Sequence, residues 1–122
     1  MSDKPIAERL QVKRDRRLAV IGAPPALDHR IGVTEARADL PVADVVLLFV
    51  PDRASLDSTL PDLLMRMSRS AILWIAYPKL TSRLAVNLDR DTIRLLAPTF
   101  GLDTVSAIAI DEDWSALRLK RV

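Results

Sequence analysis

"DVVLLFV", residues 44–50, decides how this chain folds. After its one aspartate it is apolar at every position, without the alternation of a strand that has one wet face. A run this short and this uniformly apolar suits a strand covered on both sides, as in a parallel sheet between helical layers. "AILWIAY" at 71–77 is a second run of the same kind. "LAVIG" at 18–22 is shorter and ends in glycine, and "DTVSAIAI" at 103–110 is a weaker fourth.

The intervals between these runs carry helical spacing. In 53–67, Leu56, Leu60, Leu63, Leu64 and Met67 form one stripe. Pro61 interrupts it and predicts a kink or two stacked half-helices. Met65 and Met67 read together as core filler. Near 90–100, Ile93, Leu96, Ala97 and Phe100 repeat the stripe, with Asp89 placed to cap its start. Gly101 suits a left-handed stop, and Pro98 strains the last turn. Residues 3–11 predict a short helix, with Asp3 as cap, Pro5 in the first turn, and Ile6 and Leu10 on one face. The alternation of strand and helix implies parallel pairing with right-handed crossovers.

Two regions depart from this pattern. In 23–43, "ALDHRI" supports one helical turn or two, and "EARADL" at 35–40 alternates like a strand. Only Pro41 to Ala43 separate it from the next strand, too few for a parallel crossover. It is therefore either a short edge strand or irregular chain crossing the sheet end. At the other end, a short turn joins 103–110 to 115–121, so the last strand is antiparallel to its neighbour. Leu117 and Leu119 point one way; Ala116, Arg118 and Lys120 point the other. As an edge, the last strand would be guarded by Arg118, Lys120 and Arg121. The expected architecture is a single three-layer α/β domain over 1–122, Rossmann-like, its mostly parallel sheet ending in an antiparallel hairpin.

Composition agrees with one globular domain. The chain has 122 residues, 49% hydrophobic and 28% charged, enough apolar content for a core and enough charge for a soluble surface. The lack of cysteine excludes disulfides, thiolate metal sites and a cysteine nucleophile. It fits a reducing compartment, and a cytoplasmic location is the expectation. No apolar run approaches the roughly 20 residues of a membrane span. "MSDKPIAERL" lacks the apolar core of a signal peptide. Eighteen basic against sixteen acidic residues leave a net +2, a weak field. "KRDRR" at 13–17 is interrupted by Asp15, and neither it nor "RLKR" at 118–121 interleaves with aromatics. Both read as solvated surface, which disfavours nucleic acid as a partner.

The order "ADVVLLFV", helix, "AILWIAYPK", helix, hairpin resembles the C-terminal half of Rossmann-like methyltransferases. From about residue 5 onward the chain also resembles a family of short bacterial proteins classed as a domain of unknown function. That resemblance rests on "DVVLLFV", on Trp74, Pro78 and Lys79, and on "DEDWSALR" at 111–118. It implies the fold and carries no activity. The methyltransferase likeness implies a glycine-rich loop after the first strand, but this chain has "VIGAPPAL", one glycine and two prolines. Prolines remove amide donors that an anionic cofactor group would use. The acidic residue expected after a second parallel strand also has no clear counterpart.

Most catalytic chemistries lack their parts. His29 is the single histidine and has Asp28 beside it, but no serine, cysteine or second histidine, so a surface role outweighs general base catalysis. Zinc lacks its usual ligands, and no Walker loop is present. Asp111 and Asp113 could hold Mg²⁺, but acidic pairs in turns are usually solvated; neither metal nor cofactor is expected. Ligands of parallel sheets sit at the carboxyl ends of the strands. Lys79, Ser82, Asp111, Trp114 and Ser115 all belong to that rim and are the candidate ligand-binding residues. Lys79 suits a phosphate or carboxylate, or else pairs with Asp111. Trp114 suits a ring, or else covers the hairpin. Asp111 can instead cap the turn through the amides of Asp113 or Trp114, and Ser115 can bond locally. Glu112 and Asp113 are expected to face solvent. A Ser82–Lys79 nucleophilic pair matches no motif.

The expected function is a non-catalytic Rossmann-like module that binds a small anionic or aromatic ligand, or a protein partner, at the carboxyl rim. The alternative is a divergent transferase using a nucleotide or S-adenosylmethionine. It requires an open pocket between the first strand and 44–50 rather than one filled by Pro24, Pro25 and Leu27. The sequence leaves oligomeric state open.

Overall fold

The computed structural model describes residues 4–122. The Asp3 cap lies outside the described residues. Strands β1 (Leu18–Ile21), β2 (Val45–Phe49), β3 (Ile72–Pro78), β4 (Leu102–Ala109) and β5 (Trp114–Arg121) form one sheet in the order β1-β2-β3-β5-β4. β1, β2 and β3 are parallel, with Val45 opposite Leu18 and Ile72. β5 is antiparallel to both β3 and β4. The apolar runs thus form the expected mostly parallel sheet closed by a hairpin.

The uniform apolarity of β2 has the anticipated cause, because all of its side chains are buried. Val46 and Leu48 face one core with Leu73, Ile75, Tyr77, Leu117 and Leu119. Val45, Leu47 and Phe49 face a second core with Trp74, Ala76, Trp114 and Ala116. The first core is roofed by helices α3 (Arg53–Arg66) and α4 (Arg90–Leu96), through Leu56, Leu60, Leu63, Met67 and Ile93. The second is covered by α1 (Ile6–Arg9) and α2 (Pro25–Ile31), through Ile6, Leu10, Leu27 and Ile31. Each such aliphatic side chain contributes roughly 1.5–3 kcal/mol on burial. α1 is tied to the sheet by the indole of Trp74, which donates to the Leu10 carbonyl at 2.9 Å.

Asp89 caps α4, its Oδ1 accepting from the Thr92 amide at 2.8 Å, and Asp52 caps α3 through Ser55 in the same way. The short 3₁₀ helix Ala97–Phe100 contains Pro98, and Gly101 then takes the left-handed conformation at φ 73°. α3 runs without a break through Pro61, where two separated half-helices were a possibility. α2 makes two turns over seven residues.

One open reading is resolved and two expectations are corrected. Of the two readings of residues 35–40, irregular chain crossing the sheet end holds, and the edge strand does not. These residues run from one 3₁₀ turn, Thr34–Ala36, into a second, Leu40–Val42, and pair with β1 through a single parallel bridge, Arg37 to Leu18. α2 packs on the second core, whereas Ala38 and Leu40 pack on the first. The chain therefore leaves α2, rounds the free edge of β1 and enters β2 from the opposite face. Second, Met67 is 5% exposed and belongs to the core, but Met65 is 86% exposed and does not fill it. Helical rotation of about 100° per residue sends i and i+2 to different faces. Third, β5 is an interior strand, and β4 forms the edge. The basic residues of β5 therefore guard no edge; Arg121 instead donates to the Leu64 carbonyl at 2.6 Å.

Candidate functional site

The carboxyl ends of β3 and β4 and the start of β5 meet the amino end of α4. Between them is an open cleft of about 460 Å³, lined by Tyr77, Lys79, Arg90 and Ser115, with Ala107 to Ala109 along its β4 side. Tyr77 ends the apolar run of β3 and stands opposite Ser115 in the β3–β5 ladder. Its ring is buried in the first core. Burial raises the Tyr77 hydroxyl above its ordinary pKa of 10.0, and Asp89 and Asp91 push the same way. Arg90 and the neighbouring Ser115 hydroxyl oppose them. The group is therefore a neutral hydroxyl at pH 7, able to donate and accept.

Lys79 is half-buried at the cleft and forms no ion pair among the described residues. Its backbone is fixed, because its amide donates to the Asp113 carbonyl at 2.8 Å. Arg90 is exposed at the start of α4 and likewise forms no ion pair among the described residues. Asp89 and Asp91 also line the cleft, so both signs of charge are present. The Asp89 carboxylate is engaged in the cap, which holds its pKa below the ordinary range.

The structure divides the five predicted residues. Lys79 and Ser115 line the cleft, whereas Ser82, Asp111 and Trp114 do not. Asp111 Oδ1 accepts from the amides of Asp113 at 2.9 Å and Trp114 at 2.8 Å. Its Oδ2 is 3.8 Å from Arg30 on α2. Lys79 and Asp111 do not pair. Ser82 Oγ donates to Asp113 Oδ1 at 2.8 Å and accepts from the Leu84 amide at 3.0 Å, which leaves Lys79 out. Asp113 was expected to face solvent, but it straps the 79–84 loop to the hairpin turn. The Trp114 ring lies in the second core, edge-on to Phe49 at 5.1 Å and 71°, on the opposite face of the sheet. Tyr77 and Arg90 were missed. Their signals were present: a polar tip ending an apolar strand, and a capped helix start that the crossover returns to the same rim.

The β1–β2 end of the rim is built differently. Gly22 is exposed at φ 78°, and a Cβ there would come 3.1 Å from the Phe49 carbonyl oxygen, so its lack of a side chain lets the loop close on β2. Pro24 and Pro25 begin α2 and supply no amide donors, while Leu27 is buried in the second core. These residues do not fit a cradle for the anionic end of S-adenosylmethionine. His29 is exposed on α2. Among the described residues there is no group of three or more His, Asp, Glu or Cys that could hold a metal ion, and no helix long and apolar enough to cross a membrane.

Residues 27–122 match the family described as "Protein of unknown function (DUF3052)", and the chain belongs to it. No curated protein matches the chain. Among solved structures, the fold is similar to mitomycin 7-O-methyltransferase MmcR, with a TM-score of 0.57 and 12% identity over 88% of this chain and 42% of that one. It is similar to a ribosomal protein L11 methylase from Lactobacillus delbrueckii subsp. bulgaricus, with a TM-score of 0.57 and 13% identity over 95% of this chain and 74% of that one. It is also similar to LepI in complex with SAM, with a TM-score of 0.55 and 14% identity over 96% of this chain and 39% of that one. The chain thus spans about two-fifths of the length of MmcR and LepI. At these identities the likeness is one of fold.

Proposed function

We propose that this DUF3052 chain is a non-catalytic Rossmann-like binding module whose ligand is a small molecule bearing a carboxylate or phosphate. The site is the cleft at the carboxyl rim of β3, β5 and β4. The observation that carries this reading is the convergence of Lys79, free of ion pairs among the described residues, with the Tyr77 hydroxyl and Arg90 on one cleft. A cation near a partly desolvated hydroxyl suits an anion with one further hydrogen-bonding group. The volume of about 460 Å³ is within the range of small-ligand sites. Ser115 stands opposite Tyr77 across the ladder and lines the same cleft, where its hydroxyl offers the ligand a further polar group. The second reading, a divergent S-adenosylmethionine-dependent transferase, draws on the fold of its neighbours and is opposed by Pro24 and Pro25.

A thermal-shift panel of nucleotides, dicarboxylates, sugar phosphates and S-adenosylmethionine separates the two. A ligand at a hundredfold excess over Kd stabilises by about 2.7 kcal/mol, which moves Tm by several degrees. The binding reading expects a shift with a carboxylate or phosphate that is lost in Lys79→Ala and Arg90→Ala. A shift with S-adenosylmethionine alone, unchanged in both variants, would favour the transferase. No shift across the panel would remove small-ligand binding.

A further inference from the structure

β4 is terminal in the strand order, as β1 is, but it is the most exposed strand of the sheet: of its residues only Leu102 is buried. The helical layers stop short of it on both faces. Toward α4, a hollow of about 140 Å³ separates Arg90 and Arg94 from residues 104–107. Toward α1, a hollow of about 360 Å³ is lined by Arg9, Lys13, Ile108 and Ala109. The strand itself, "LDTVSAIA", carries no lysine, arginine or proline to block pairing; its only irregularity is a bulge between Thr104 and Ser106. Its backbone groups face outward in a defined pattern. The Ile110 amide donates inward to the Trp114 carbonyl at 2.9 Å, so by the alternation of an antiparallel ladder Ala109 and Ala107 turn their N–H and C=O to the free edge. The guanidinium of Arg9 already reaches one of these groups, the Ala109 carbonyl.

We propose that the free edge of β4 is a docking site for an acidic, extended peptide, which adds as a sixth strand antiparallel or parallel to β4. The occupant follows from charge. A strand added here sends alternate side chains into the two hollows. Both are walled by basic residues, Arg90 and Arg94 on one face and Arg9 and Lys13 on the other. Arg90, Arg94 and Lys13 enter no ion pair among the described residues. Glu8 is the acid on the α1 side, and Asp89 and Asp91 flank Arg90 on the other. Carboxylates on both faces of the incoming strand would therefore find cations. Pairing with β4 of a second copy is disfavoured by the same feature, because a two-fold axis at this edge brings the arginines of each copy toward those of the other. Main-chain hydrogen bonds would supply the affinity and the basic walls the selectivity.

The test uses an end-capped eight-residue peptide of glutamate and valine, with acids on both faces, and its counterpart with lysine for glutamate. Binding is followed by chemical-shift changes and amide exchange on the isotopically labelled full chain. The acidic peptide is expected to bind about tenfold or more tightly than the basic one and to weaken as salt is raised. It should slow exchange at Ala107 and Ala109. Ala107→Pro removes an outward N–H without touching the ladder to β5 and should abolish binding. Arg94 lies outside the cleft of the preceding section, so Arg94→Glu reads the edge alone and should narrow the preference for the acidic peptide severalfold. Equal binding of both peptides, protection mapping away from β4, no binding by either, or a peptide-independent dimer through β4 would each overturn the proposal.

Discussion

At the scale of single residues, the decisive ones are those whose polar atoms are committed. Asp111 accepts two backbone amides in the hairpin turn and is half-buried, whereas Glu112 beside it is exposed. Asp111→Ala should therefore cost about 1–3 kcal/mol in urea unfolding, because two donors lose their acceptor. Glu112→Ala should stay within about 0.5 kcal/mol. Equal effects would mean that the turn is held by its backbone alone. Tyr77 carries a pH signature. Its pKa is raised in the folded state above the 10.0 of the unfolded chain, chiefly by burial. A raised value means that the folded chain holds the proton longer. The contribution is complete below about pH 10 and is lost as pH rises through the folded value. Tyr77→Phe should flatten this part of the alkaline stability loss. Tyr77 is the one tyrosine in the chain, so tyrosinate absorbance reports it directly. A midpoint at or below that of free tyrosine would contradict the burial argument.

At the scale of elements, the contacts between elements count for more than their internal propensities. α1 is a single short turn, below the length at which a helix holds itself. It stays because Ile6 and Leu10 are buried and Trp74 bonds the Leu10 carbonyl. Trp74→Phe keeps an aromatic ring but leaves that carbonyl without its donor, and should cost about 1–3 kcal/mol. The expected sign is local: amide exchange quickens in residues 6–10 while β2 keeps its protection. Uniform quickening across the sheet would show that Trp74 acts through core packing instead. The caps at Asp52 and Asp89 and the stop at Gly101 were legible in the sequence, because capping is chemistry between near neighbours. The ambiguity of 35–40 has a physical cause as well. Its alternation reflects Ala38 and Leu40 packing on the first core as the chain rounds β1, which gives a strand-like pattern without a ladder.

At the scale of the whole molecule, stability is graded from the centre of the sheet to its edge. β3 has a strand on either side and a core on each face, and Ile75 in it is fully buried. Ile75→Ala should cost about 2–5 kcal/mol. In native exchange, the Ile75 amide should be among the slowest, while outward amides such as Ala107 exchange orders of magnitude faster. Comparable protection of both would mean that β4 is already covered in solution. The cleft and the basic-walled edge lie toward the less protected side, where a partner can add contacts without disturbing the core. The sequence by itself determined the strands, the helices between them, the closing hairpin and the weakness of a cofactor loop built on Pro24 and Pro25, because apolar runs, caps and prolines act over a few residues. It also brought Lys79 and Ser115 forward, since both follow or begin strands at the carboxyl rim. Only the tertiary structure decided that β5 lies inside the sheet and β4 outside. Only it separated Lys79 from Asp111, turned Trp114 to the opposite face and set Tyr77 and Arg90 beside the cleft. Strand order is a choice among hydrogen-bond partners far apart in sequence, and the hairpin pattern reads the same whichever of its two strands meets β3.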